Sequence, residues 1–156
     1  MKIARRQPVI TAAILLLAAA TAIAGSSATF AGKTGQKIKV SFRASTTTVS
    51  HLKTSLDVNC VSAYPSYKSA IEIVSVSQRG SAVLRGGHFT LKLPAPILHP
   101  TKMEVTTVTG AIYDRSASGT LKSFYLKNWD VYNPTTGMYD LALASCAGKT
   151  TWTAHR

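Results

Sequence analysis

Apolar and polar side chains alternate along many short segments of this chain, with turn residues between the segments. In residues 36–43, for example, Ile38, Val40 and Phe42 alternate with basic and hydroxyl side chains. A period of two places the apolar residues on one face of an extended strand, and no helical period follows residue 35. The pattern predicts an all-β protein, either an antiparallel β-sandwich or a small β-barrel of about eight to nine strands.

The last twenty residues show this alternation most clearly. Tyr139, Leu141 and Leu143 fall on one side of an extended chain, and the residues between them fall on the other. Residues 147–149 read as a turn, after which Trp152 is the large apolar residue of a returning arm. We therefore expect the chain to end in a β-hairpin that turns at 147–149.

The N-terminus has the three parts of a secretory signal peptide. Lys2, Arg5 and Arg6 form a basic segment, residues 9–24 carry no charge, and small side chains precede a cleavage site after Ala24. The uncharged run has 16 residues. That is shorter than the roughly 18 to 20 residues that span a bilayer, which favours cleavage over a retained membrane anchor.

This interpretation divides the chain into three parts. Residues 1–24 are a signal peptide, 25–35 a flexible leader, and 36–156 a single β domain. Cleavage after Ala28 and a twin-arginine signal stay open as alternatives. The mature protein is expected to be secreted, with no stable membrane span after cleavage.

Two cysteines in an exported chain indicate one disulfide, between Cys60 and Cys146. Cys60 falls on the apolar side of a predicted strand, together with Leu56 and Val58. The bond closes a long loop, for which the chain-entropy model gives roughly 4 to 5 kcal/mol of stabilisation. The alternative, two free thiols that bind a metal or act in catalysis, lacks a Cys-x-x-Cys pair and a neighbouring histidine.

The formal net charge is +12, and after removal of residues 1–24 it is +9, because 15 basic residues then stand against 6 acidic ones. The basic residues are scattered, and no run is dense enough to indicate a nucleic-acid partner. They are expected to cover the solvated faces and edges of strands. The alternative is attraction to an anionic partner outside the cell, such as a cell-wall polymer or anionic lipid. An extracellular protein is another candidate partner, and we expect a monomer.

No motif in the sequence indicates catalysis, a metal site or a cofactor. The two Gly-Lys-Thr sequences lack the earlier glycine of a phosphate-binding loop, and the four histidines are far apart and expected at the surface. Glu72 and Glu104 fall in the middle of predicted strands. They are expected to face outward as ion-pair partners and not to form a glycosidase pair.

Three aromatic residues are candidates for partner binding: Tyr125, Trp129 and Tyr132. Trp129 and Tyr132 fall in a predicted loop at 127–137, and exposed aromatic rings on a β scaffold can stack on sugars or on partner proteins. The alternative is that Trp129 folds back over an open end of the core.

The C-terminal half resembles uncharacterised secreted single-disulfide β-domain proteins of Gram-positive bacteria. The matching pieces are Gly87-His88-Phe89, Val108-Thr109-Gly110, Ala117-Ser118-Gly119-Thr120-Leu121 and the ending from Cys146 through Gly148 and Trp152 to Arg156. Gly148 follows Cys146 by two residues, whereas the family pattern has three. The resemblance covers roughly the last 70 residues. Its motifs consist of turn and core residues, so it implies a fold and no activity.

These features favour a secreted, non-enzymatic β domain that binds a partner outside the cell or at the wall. Export, positive charge and loop aromatics support this hypothesis. The rival hypotheses are an exported hydrolase with an unrecognised active site and a small inhibitor-like module.

Overall fold

The computed structural model describes residues 27–62, 68–95 and 104–156, and within them the chain forms nine antiparallel strands and no helix. The all-β prediction is confirmed, while the predicted signal peptide at 1–24 lies outside the described residues. No helix in this part of the chain is long and apolar enough to cross a membrane. The strands are β1 (Ala28–Thr34), β2 (Lys39–Ala44), β3 (Thr48–Ser62), β4 (Lys68–Ser77), β5 (Ser81–Val83), β6 (His88–Pro94), β7 (Val105–Tyr113), β8 (Ser116–Asn133) and β9 (Met138–His155).

All nine strands belong to one sheet, in which β3 has the most neighbours. The order is β4-β3-β2-β1-β9-β8-β7-β6, and β5 pairs with the beginning of β3. β3 pairs with β2 near its start and with β9 through residues 59–62. At one end of β3 and β9, the β1–β2 hairpin therefore lies between them. At the other end, β3 and β9 pair directly with each other. These four strands form a closed circuit around a core that includes Phe30, Phe42, Leu56 and Trp152.

The predicted disulfide is present at the point where β3 meets β9. Cys60 lies directly opposite Cys146, and their Cα atoms are 3.9 Å apart. Both cysteines are fully buried. The bond joins the two strands whose pairing closes the circuit.

β9 is one continuous strand that forms a long hairpin with β8, through eighteen residue pairs. The predicted turn at 147–149 is therefore wrong, because these residues pair with 122–124 of β8. Ala147 also pairs with β3 on its other side. Pairing with β8 along all three residues, and with β3 at Ala147, satisfies backbone groups of this segment and outweighs its turn-like composition. The hairpin turns at 134–137 instead, where Gly137 has a φ of 68°.

β8 continues to Asn133, so the loop predicted at 127–137 is limited to its last four residues. Asn128 and Asp130 suggest a loop by composition, but they point to solvent from a strand. Val131, between polar neighbours, is buried. The alternation thus continues through the segment.

β1 lies within the segment 25–35 that was expected to be a flexible leader, and that prediction is wrong for residues 28–34. β1 pairs with β2 on one side and with β9 on the other. Its residues are small and polar apart from Phe30, which is buried. Pairing on both edges holds this strand, and the side-chain pattern contributes little.

The Trp152 side chain of β9 lies over the neighbouring strands β8 and β7 and packs against Phe89 of β6. It lies opposite Gly119 of β8, which lies opposite Gly110 of β7, which in turn lies opposite Phe89 of β6. A Cβ atom added at Gly110 would come within 2.5 Å of Trp152 Cζ2, and one at Gly119 within 2.7 Å. The two glycines therefore leave the space that the indole ring fills, and the Phe89 ring lies 6.1 Å from it, centroid to centroid.

Candidate functional site

The outer face of β1, β2 and the first half of β3 carries five exposed side chains of lysine, arginine and histidine. We call this the basic face, and it consists of Lys33, Lys39, Arg43, His51 and Lys53. Lys33 lies directly opposite Lys39. Like charges in this position repel each other, and an anion placed between them relieves the repulsion.

These basic side chains point outward because the residues that alternate with them are buried. Phe30 of β1 and Phe42 of β2 are both buried, and their rings stack with centroids 5.0 Å apart. Val40 is buried beside them. Because successive residues of a strand point to opposite faces, Lys33, Lys39 and their neighbours can only point to solvent.

A bulge in β3 adds His51 to the basic face. The register between β2 and β3 shifts between Ser41 and Arg43, and His51 has a φ of 55°. The extra residue allows Val49 and Leu52 to be buried while His51, between them, is exposed. The Nδ1 atom of His51 lies 3.0 Å from the Ser50 hydroxyl.

A pocket of about 320 Å³ lies within the basic face. Its polar lining consists of Thr29, Ser41, Arg43, His51 and Lys53. These residues offer a guanidinium, an ammonium, an imidazole and two hydroxyl groups, all of which can donate hydrogen bonds. Charge-assisted hydrogen bonds from such groups bind phosphate and carboxylate oxygens, so the pocket is suited to an oxyanion.

The basic side chains of this face have no acidic partner among the residues that the structure describes. The ion pairs in the described part of the chain are Lys127–Glu72 and Arg156–Asp114, and neither involves the basic face. Within residues 27–62, 68–95 and 104–156, no carboxylate therefore lies within 4.0 Å of the charged nitrogens of Lys33, Lys39, Arg43 or Lys53. The positive potential of this face is not neutralised from within the described chain.

A second polar cluster lies on the inner side of the sheet, beside the disulfide. The Tyr125 hydroxyl donates a hydrogen bond of 3.1 Å to Glu72, which also pairs with Lys127. Burial, together with the negative charge of Glu72, raises the pKa of Tyr125 to about 12. The Glu72 carboxylate and the two cysteine sulfur atoms lie within 4.8 Å of one another. The two sulfur atoms are bonded to each other in the disulfide, whereas a cysteine binds a metal as a free thiolate.

The outward orientation expected for the two mid-strand glutamates is wrong. Glu72 is half-buried on the inner side, although it does form an ion pair, with Lys127. Glu104 is buried and accepts a hydrogen bond of 2.9 Å from the backbone N–H of Leu126. Both carboxylates stabilise the pairing of distant segments.

The three aromatic residues predicted to bind a partner lie on β8 and not in a loop. Tyr125 is buried. Trp129 is half-buried and packs against the core, with the Lys127 ammonium 5.8 Å from its ring centroid. Tyr132 is exposed and lies against Tyr139, ring centroids 5.5 Å apart. The structure thus places Tyr132 alone of the three on the outer face of the hairpin.

Tyr125 is expected to ionise at higher pH than a tyrosine with the ordinary pKa of 10. The raised pKa means that the folded state keeps the phenolic proton where the unfolded state loses it. The stability that Tyr125 contributes is therefore complete below about pH 10 and is lost as the pH rises towards about 12. Absorbance titration of tyrosinate should show a late step that Tyr125→Phe removes. The same late step in the variant would contradict the assignment.

Comparison of the chain with family models, with curated proteins and with solved structures finds no match in any of the three.

Proposed function

We propose that the mature chain is an exported, non-enzymatic binding domain that holds an anionic polymer outside the cell through its basic face. The proposal rests on one observation above all, the unneutralised basic side chains around a hydroxyl-lined pocket. The signal-peptide pattern and a disulfide compatible with an oxidising compartment support an extracellular location. Cleavage after Ala24 leaves the basic face intact.

The spacing of the charges favours a polymer over a single small anion. Lys39 and Arg43 are four residues apart on β2, which corresponds to about 13 Å along a strand. Lys33 lies beside Lys39, and Lys53 lines the pocket together with Arg43. Two anionic groups of one chain can therefore be bound at the same time, one by the lysine pair and one in the pocket.

Four of the six acidic residues also favour binding over hydrolysis. Glu72 has a tyrosine and a lysine as partners, and Glu104 has a backbone amide. Asp114 is paired with an arginine, and Asp140 with an asparagine. A carboxylate held in this way stabilises the fold. An acid–base pair in a glycosidase must instead face a shared cleft.

The test is binding of the mature protein to purified anionic wall polymers, measured for two matched double variants. Arg43→Ala with Lys53→Ala removes the basic side chains of the pocket and should weaken binding roughly ten-fold or more. Arg85→Ala with Lys92→Ala removes the same charge from exposed positions outside the basic face and should change binding by no more than about two-fold. Equal losses in both variants would show that only net charge matters, and unchanged binding in the first would reject the site.

A further inference from the structure

The outer side of the β8–β9 hairpin is largely apolar, although it faces solvent. We call it the apolar face, and it consists of Phe124, Leu126 and Tyr132 of β8 with Tyr139, Leu141 and Leu143 of β9. Leu141 is 72% exposed and Leu143 is 63% exposed.

The apolar face extends across β3 to β4. Phe124 pairs with Ala147, Ala147 with Asn59, and Asn59 with Ile71, so all four point to the same side of the sheet. Ile71 and Ile73 follow the same alternation and are 75% and 72% exposed.

The exposed area of this face is large for a monomer. At roughly 100 Å² for each large side chain, the six residues of the hairpin expose on the order of 600 Å², so that two copies together contribute about 1,200 Å², the lower end of the range for specific interfaces. Monomeric soluble proteins rarely expose a continuous apolar patch beyond a few hundred Å².

Two pairs of residues along the hairpin are placed so that they complement each other between two copies. Leu126 lies opposite Ser145, near the middle of the face. Along β8, Lys122 and Asp130 lie four residues on either side of Leu126. Along β9, Ala147 and Leu143 lie two residues on either side of Ser145. A two-fold rotation about the line through Leu126 and Ser145 therefore exchanges a lysine with an aspartate and an alanine with a leucine.

We propose that two copies of this chain pair through the apolar face, about a two-fold axis that crosses the strands at Leu126 and Ser145. Lys122 of each copy then lies over Asp130 of the second copy, on both sides of the axis. Leu143 of each copy lies over Ala147 of the second. Such an isologous contact closes on itself and gives a dimer, in place of the monomer expected from the sequence.

A groove on this face provides the space that the exchanged leucine needs. It has a volume of about 520 Å³ and is lined by Val105, Thr107, Phe124, Ala147 and Lys149, among others. The depression forms where Ala147, with its small side chain, lies between larger ones. Leu143 of the second copy is the exposed side chain that the two-fold axis places in this depression.

The charges at the two ends of the face lack ion-pair partners among the described residues of one chain. Lys122 lies directly opposite Lys149, and the described residues place no carboxylate within 4.0 Å of either ammonium. Asp130, at the other end, is exposed and takes part in neither ion pair of the described segments. When two copies pair, Lys122 of each copy lies beside Asp130 of the second. This contact between opposite charges fixes the position of the strands of one copy relative to those of the second.

Sedimentation equilibrium of the mature protein tests this proposal. The wild-type protein should show the mass of two chains. Lys122→Asp and Asp130→Lys should each weaken dimerisation roughly ten-fold or more, because each places like charges together, and the double variant should recover to within about three-fold of wild type. Arg85→Asp makes the same charge change away from the face and should leave dimerisation unchanged.

Three results would overturn the proposal. They are a wild-type mass of one chain at hundreds of micromolar, single reversals without effect, and a double variant that does not recover. A monomer that instead sediments with vesicles of anionic lipid would assign the apolar face to a membrane surface. Because the basic face lies on other strands, polymer binding by a monomer would leave the proposed function standing while rejecting the dimer.

Discussion

Replacement of Trp152 by alanine is expected to lower the free energy of unfolding by about 3 to 5 kcal/mol, the cost of removing a large buried aromatic side chain. Trp152 is 2% exposed and packs against Phe42 and Phe89. Its Nε1 atom has no hydrogen-bond partner among the described residues. Trp152→Phe keeps a large aromatic ring and removes less volume, so it should cost much less. Denaturant unfolding of the mature proteins gives both values.

A mutant cycle with Gly110 checks that the indole ring fills the space above the glycines. In the wild-type background Gly110→Ala should destabilise by about 1 to 3 kcal/mol, because its Cβ meets Trp152 and Phe89 within 2.8 Å. In the Trp152→Ala background the same change should cost less, since the indole contact is gone and the Phe89 ring can move into the space that the indole leaves. Equal costs in the two backgrounds would contradict this packing.

Removal of the disulfide is expected to have an effect of similar size. Cys60→Ala with Cys146→Ala should lower the free energy of unfolding by about 2 to 5 kcal/mol, mainly because the unfolded chain is no longer closed into a loop. The sequence separation of 86 makes that loop long. Alanine avoids leaving a hydroxyl group unsatisfied at two fully buried positions.

A thiol count on native, unreduced protein is the control for the disulfide prediction. No reactive thiol should be found, since the chain has two cysteines and both are in the bond. Two reactive thiols, or a double alanine variant as stable as the wild-type protein, would refute the predicted contribution.

The sequence predicts those strands whose alternation is set by the core. Val40 and Phe42 mark β2, and Leu56, Val58 and Cys60 mark the buried side of β3. In each case one face of a single strand is apolar, and that information is local. The disulfide was predictable for a different reason, because a chain that is expected to be exported and has two cysteines allows one intramolecular pairing.

Pairing between distant segments explains the elements that the sequence did not predict. β1 has one large apolar residue, Phe30, and is held between β2 and β9, whose sequences lie far apart. β9 continues through 147–149 because β8 pairs with all three residues and β3 pairs with Ala147 on the other side. Local composition suggests a leader and a turn at these places, and only the neighbouring strands decide otherwise.

The basic face was missed for the same reason. Its basic residues are scattered in sequence, and they come together only because β1 pairs with β2 and a bulge turns His51 outward. The outward alternation of Lys39 and Arg43 was the available signal. The exposure of the apolar face could not be predicted from the sequence either. Alternation shows which residues share a face of a strand, but not which of the two faces is covered.

Binding of the mature protein to a purified anionic wall polymer at low and at moderate salt tests the proposed function most directly. Binding by the basic face should be tight at low salt and weaken at least roughly ten-fold as the Debye length shortens, because exposed charges are screened. An uncharged polysaccharide should not bind under either condition. Binding that does not depend on salt, or no binding to the anionic polymer at low salt, would contradict the proposed function.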